Sequence, residues 1–197
     1  MDRVRDAVDA ALRGELVVVP TDTVYGIGTR PDLPGATGAL FAAKGRPRRL
    51  ELPVLLPSVA SAAEVALMDE RAERLAAALW PGAVTLVLPR TPGSAAWDLG
   101  GDAATIGIRV PRHPLALAVL AGTGPLAVTS ANLSGEETPS SCEEITRIFG
   151  DAVAVYLCLE GALQGRASTV VDLAHGDPAI LRLGDVDERT VARLLAG

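Results

Sequence analysis

A chain of 197 residues, 49% of them hydrophobic, is long enough to bury a sizeable core and falls in the range of one domain. Its net charge of −6 sets aside a broad grip on nucleic acid, and no apolar run reaches the roughly 18 residues of a membrane span. The start, Met1-Asp2-Arg3-Val4, is acidic and interrupted rather than signal-like, so the expectation is a single domain over residues 1–197, cytoplasmic and without membrane contact.

Val4, Ala7, Val8, Ala11 and Leu12 recur at helical spacing, which predicts a helix over 2–13 that stops at Gly14. The unbroken run to Val19, ended by Pro20, predicts a strand over 15–19 buried on both faces. A helix over 36–43 and a strand over 54–56 follow, then a helix over 70–79 and strands over 84–88 and 105–110. Beyond these come a helix over 114–121, a strand over 126–129 and a helix over 142–149. Strands over 153–157, 169–173 and 180–183 and a helix over 187–195 close the chain. Alternating strands and helices predict an α/β fold, and the short links near Val84 and Ile180 leave room for antiparallel pairs, hence a mixed sheet with flanking helices. Loops rich in Gly, Pro or small polar residues fall at 44–53, 89–104, 132–140 and 159–167. The first, with two prolines and crowded cations, is expected to be weakly anchored and mobile.

Cys142 and Cys158 have no metal-ligand spacing and read as reduced, partly buried side chains; with His113 and His175 the only histidines, no metal site is expected. No G-x-x-x-x-G-K-[ST] string and no G-x-S-x-G elbow occurs. Gly122-Thr123-Gly124-Pro125-Leu126-Ala127 precedes a strand where a dinucleotide fingerprint must follow one, so it is a turn. His113, between Arg112 and Pro114, reads as a helix-start residue rather than a base.

Polar clusters gather instead at strand ends. Pro20-Thr21-Asp22-Thr23-Val24-Tyr25-Gly26-Ile27-Gly28 leaves a buried strand, and Thr129-Ser130-Ala131-Asn132-Leu133-Ser134-Gly135 and Ser168-Thr169-Val170-Val171-Asp172 repeat the theme. Lys44-Gly45-Arg46-Pro47-Arg48-Arg49 crowds four cations at a helix end, and Arg182 sits inside Ile180-Leu181-Arg182-Leu183. Arg109 lies in the apolar strand Thr105-Ile106-Gly107-Ile108-Arg109-Val110, where an unpaired guanidinium is costly, so something anionic should face it. Each cluster alone has a bland account as turn chemistry or solvated charge. Together they suggest a polar, partly cationic cleft.

The strings PTDTVYGIG, KGRP, LWPGAVTLVL, TIGIRVPRHP, TSANLSG, STVVD and RLG, in this order, resemble the signature of the YrdC/TsaC family, the threonylcarbamoyl-adenylate synthases, over nearly the whole chain. The resemblance implies a twisted open α/β sheet around a deep ligand cleft. It also implies an enzyme, a nucleotidyltransferase joining L-threonine, bicarbonate and ATP into threonylcarbamoyl-AMP with release of pyrophosphate. Thr23, Leu55, Arg109, Val128 and Ser168 fall on the threonine side, and Arg46, Leu50, Thr105, Ser130, Thr138 and Arg182 on the ATP side. Lys44, Arg46, Ser130 and Asn132 fall where the family does its chemistry. Mg2+ would accompany the triphosphate. The product would pass to a tRNA threonylcarbamoyl transferase complex, with weak tRNA binding as a further implication. Leu50 and Leu55 stand where the family usually offers an Asn and a His. Two other readings compete: a non-catalytic RNA- or nucleotide-binding module of the same fold, and an adenylating enzyme for a different carbamate.

Overall fold

The computed structural model describes residues 2–196. Helix α1 (Asp2–Leu12) buries Ala7, Ala10 and Ala11 and leads into β1 (Val17–Val19), three valines buried on both faces as the unbroken apolar run requires. Strand β2 (Gly26–Thr29) returns antiparallel to β1, with Val18 opposite Ile27. From the sequence this stretch is a loop, because two glycines in four residues weaken a strand. The sheet needs them: a Cβ on Gly26 would stand 2.5 Å from Val128 Cγ1, and one on Gly28 2.5 Å from the Ala127 carbonyl. Tertiary packing overrides local propensity here.

The chain continues through α2 (Ala36–Lys44), β3 (Val54–Leu55), the short α3 (Ala62–Val65) and α4 (Glu70–Leu79), whose first turn is capped by Asp69 accepting the Ala72 N–H over 2.9 Å. Then come β4 (Val84–Pro89), β5 (Thr105–Arg109) and α5 (Pro114–Thr123), which His113 precedes as expected. Next are β6 (Leu126–Ser130), α6 (Cys142–Phe149) capped by Ser141, β7 (Val155–Tyr156), β8 (Thr169–Asp172), β9 (Ala179–Arg182) and α7 (Glu188–Leu195) capped by Asp187. The sheet order is β7-β1-β2-β6-β3-β5-β4-β8-β9. Pairs β1/β7, β3/β5 and β4/β8 are parallel and the rest antiparallel, the mixed sheet the short links suggest.

Two apolar layers sandwich the sheet. On one face α2, α4 and α6 pack Leu40, Leu75 and Ile145 against Val18, Ile27, Leu86 and Ile108. On the other, α1 and α5 pack Ala7, Ala11 and Val119 against Val17, Val19, Leu126 and Val128. Farther along that second face the apolar layer gives way to Thr85, Thr105 and Arg109, buried yet polar. A face that trades aliphatic side chains for hydroxyls and a cation is where ligand chemistry is to be sought.

Two expectations need correction. Cys142 and Cys158 are joined in a disulfide, their Cα atoms 5.5 Å apart. Their spacing in the sequence gives no hint of this; Cys142 opens α6 and Cys158 follows β7, which lies parallel to β1. Closing a loop across a separation of 16 residues restricts the unfolded chain by about 3 kcal/mol. The 44–53 loop is also better anchored than its composition suggests. Leu52 is fully buried and gives its N–H to the Leu99 carbonyl over 2.8 Å, and Gly101 gives its own to Arg48 over 2.8 Å. The anchors come from the 89–104 loop, which is distant in sequence.

Candidate functional site

The turn after β1 is built from its own hydroxyls. Thr21 Oγ1 donates to the Val24 carbonyl over 2.6 Å, accepts the Thr23 N–H over 3.1 Å and lies 2.9 Å from Thr23 Oγ1. This is ordinary turn chemistry, and it fixes Thr23 toward Arg109 at the end of β5. Arg109, 5% exposed, donates from Nε to the Gly82 carbonyl (2.8 Å), from Nη1 to Thr23 Oγ1 (2.9 Å) and from Nη2 to Asp22 Oδ1 (2.7 Å). Asp22 Oδ1 also accepts the Arg112 N–H over 2.8 Å. The anion expected opposite Arg109 is therefore supplied first by the chain itself. Burial pushes the guanidinium pKa down, and Asp22 opposes that shift. Three of five guanidinium hydrogens are engaged, leaving one on each terminal nitrogen.

A second polar group forms where β8 and β9 meet β4. Arg182 donates from Nε and Nη2 to the Ser168 carbonyl over 3.1 and 2.9 Å, and from Nη2 to Ser168 Oγ over 3.0 Å. Ser168 Oγ lies 2.9 Å from Thr85 Oγ1. Gly184 makes this possible, since a side chain there would overlap the Ala167 carbonyl and the Ser168–Thr169 peptide.

The third group is the 130–138 segment. Ser130 Oγ and Thr138 Oγ1 both donate to Asn132 Oδ1, and Asn132 Nδ2 bonds the Leu133 and Glu136 carbonyls over 2.8 and 2.7 Å. Lys44, 1% exposed, ties the segment from behind through Nζ, donating to the carbonyls of Ser130 and Asn132. Burial first, then the charge of Arg46, brings the Lys44 ammonium down to about 8. Arg46 folds back onto the carbonyls of Leu50 (3.2 Å) and Glu51 (2.8 Å). Its pKa is lowered by burial first and then by the charge of Arg182. Among the described residues neither has a carboxylate within salt-bridge distance.

One cavity of about 80 Å3 joins the first two groups and touches the third. All five residues read as threonine-side, Thr23, Leu55, Arg109, Val128 and Ser168, line it, as do Ser130 and Arg182 from the ATP side. Lys44, Arg46, Leu50, Thr105, Asn132 and Thr138 do not. Lys44 and Asn132 organise a loop, Thr105 is buried with its carbonyl on Arg90 Nε, and Leu50 is 40% exposed. The cavity is half open, and its volume lies below the roughly 300–1,000 Å3 of larger ligand sites. Sequence reasoning passed over Thr85 and Asp22; the sole hint of Thr85 is a hydroxyl inside the otherwise apolar run Val84-Thr85-Leu86-Val87-Leu88.

The 44–53 loop carries one more titratable group. Glu51 is held with Oε1 3.8 Å from Arg90 Nη2, and burial outweighs that cation to push its carboxyl up to about 7. Between about pH 4.5 and 7 the folded protein then holds a proton that the unfolded chain releases. Stability from this group is full below pH 4.5 and is lost as pH rises through 7. Urea unfolding at pH 5 and 7.5 should show the wild type losing about 2–3 kcal/mol relative to Glu51→Gln across that interval. Parallel curves for the two proteins would place the titration elsewhere.

The Sua5/YciO/YrdC family model, described as telomere recombination, matches residues 9–184. The chain belongs to this family. A Mycobacterium tuberculosis protein, provisionally named a threonylcarbamoyl-AMP synthase, is 43% identical over 190 residues, 96% of this chain and 87% of its own length. Among solved structures, Pyrococcus abyssi Sua5 complexed with L-threonine superposes with a TM-score of 0.87 at 31% identity. The alignment covers 98% of this chain but 57% of that one, so the chain spans little more than half of the archaeal protein. E. coli YciO, of similar length, superposes with a TM-score of 0.85 at 28% identity, over 93% of this chain and 90% of its own. The mixed nine-stranded sheet described above is thus this chain's version of the Sua5/YciO/YrdC fold.

Proposed function

We propose that the chain is a threonylcarbamoyl-AMP synthase, a nucleotidyltransferase that uses L-threonine, bicarbonate and ATP. The observation carrying this is the meeting in one cavity of Arg109 and Thr23 with Arg182, which like Arg46 has no carboxylate within salt-bridge distance among the described residues. Two guanidiniums without carboxylate partners are poised for polyphosphate oxygens.

Threonine's free amine forms a C–N bond to CO2 and gives up one proton to water, or condenses with bicarbonate with loss of one water, to give a carbamate. A carbamate oxygen attacks the α-phosphorus of ATP, the bond to the β-phosphate oxygen breaks, and pyrophosphate leaves. The carbamate is already an anion, so no side chain need be activated, and catalysis rests on alignment and charge stabilisation. The two free Arg109 hydrogens hold the substrate carboxylate. Ser130 and the Asn132-braced segment orient the phosphates, and Arg46 and Arg182 take up charge as pyrophosphate separates. Lys44 acts from behind by holding the Ser130 and Asn132 carbonyls in place. ATP enters as its magnesium complex, the metal carried by phosphate and water oxygens. The product would pass to a tRNA threonylcarbamoyl transferase complex.

Mass spectrometry of a reaction holding ATP, threonine and bicarbonate should find threonylcarbamoyl-AMP, with pyrophosphate release that needs all three. Release independent of threonine or of bicarbonate would falsify this assignment.

A further inference from the structure

We infer that Thr85 is a further ligand-recognition residue, giving its O–H to an anionic oxygen of the amino-acid ligand; this rests on the proposed use of threonine. Thr85 is 4% exposed and borders the cavity. It follows Leu86 toward the site on β4, and Leu86 lies opposite Ile108. The next position along puts Thr85 beside Arg109, between that guanidinium and the Ser168–Arg182 pair.

Hydrogen counting carries the inference. The Thr85 hydroxyl has one protein partner, Ser168 Oγ at 2.9 Å, and Ser168 Oγ has one more, Arg182 Nη2 at 3.0 Å. Each hydroxyl owns one hydrogen and two lone pairs, while a guanidinium only donates. The Thr85–Ser168 bond consumes one of the two hydroxyl hydrogens and Arg182 brings its own. One O–H is therefore left over in the cavity wall with no acceptor among the described residues. Buried polar hydrogens are almost always satisfied. When the chain runs head to tail, Arg182 to Ser168 to Thr85, each donor polarises the next and the surplus hydrogen falls on Thr85. An oxygen of the ligand completes the chain. Both the carboxylate of threonine and its carbamate offer the required anionic oxygen.

Thr85→Val keeps the shape and removes the hydroxyl. Calorimetric binding of L-threonine without bicarbonate, and the KM for bicarbonate in turnover, separate the two oxygens. A loss of about ten- to a hundredfold in threonine affinity, the worth of one hydrogen bond to a charged group, assigns Thr85 to the carboxylate. The same loss confined to the bicarbonate KM assigns it to the carbamate. ATP affinity should stay within twofold, and Thr85→Ser should restore the wild-type values. Unchanged values in both arms overturn the inference alone. So does an equal loss for ATP, or a Thr85→Ser variant as weak as Thr85→Val, since either marks a packing role against Gly107. A wild-type chain that binds no threonine overturns the proposed function and this inference together. Should Thr85→Val not fold, Thr85→Ala is held to the same limits.

Discussion

Arg109→Ala is expected to lose threonine use by upward of thirtyfold, the loss of about 2–5 kcal/mol that follows removal of a buried charged contact. It should also lower stability, and for a separate reason. Asp22 keeps its carboxylate largely out of water, 15% exposed, against the Arg109 guanidinium. Without that partner it becomes an unpaired buried charge, a defect worth about 3–5 kcal/mol. Asp22→Asn in the same background should recover most of the stability and none of the threonine use. Steady-state kinetics on both variants, beside their urea unfolding curves, separates the two effects. Threonine dependence that survives Arg109→Ala intact would remove this guanidinium from the substrate site.

Gly184→Ala is expected to act as strongly without removing a polar atom. The added methyl meets backbone, the Ala167 carbonyl and the peptide joining Ser168 to Thr169, and backbone cannot swing aside as a long side chain can. Either the 182–184 segment or the 167–169 segment must move. Both carry the site, because Arg182 hangs on the Ser168 carbonyl through two nitrogens. A displacement near 1 Å in a positioned group costs on the order of a hundredfold in rate, whereas overpacking of this kind removes about 1–3 kcal/mol of stability. Pyrophosphate release should fall about a hundredfold in a protein that still melts cooperatively. Wild-type turnover would show that the Ser168–Arg182 register is not needed.

Much of this was readable in the chain, for reasons that differ by element. Helices at 70–79 and 142–149 show clean apolar spacing with an Asp or Ser cap, and the structure returns them with the same bounds. Strand β2 escaped because its glycines answer to Val128 across the sheet, a neighbour invisible to local pattern. Residues at strand ends, such as Thr23, Arg109 and Ser168, were legible from their place beside buried runs. Lys44 was legible as a cation but not as a buried one. Nothing next to it in sequence reveals that its ammonium reaches Ser130 and Asn132. Asp22 and Thr85 are defined by partners more than eighty positions away, Arg109 and Ser168, so only the fold gives them meaning.

The sheet order has a consequence for how the molecule comes into being. Strand β6 fills the gap between β2 and β3, with Val128 opposite Gly28 and Ala127 opposite Val54. On a ribosome the first three strands emerge with that slot vacant, and two unpaired edges must wait for Leu126–Ser130 to be synthesised before they can zip. Such distant pairings cost loop-closure entropy before any contact rewards it, which slows folding relative to a chain of local contacts. The cavity takes part of its wall from Val128, Thr129 and Ser130 of β6, so it closes only once that strand has paired.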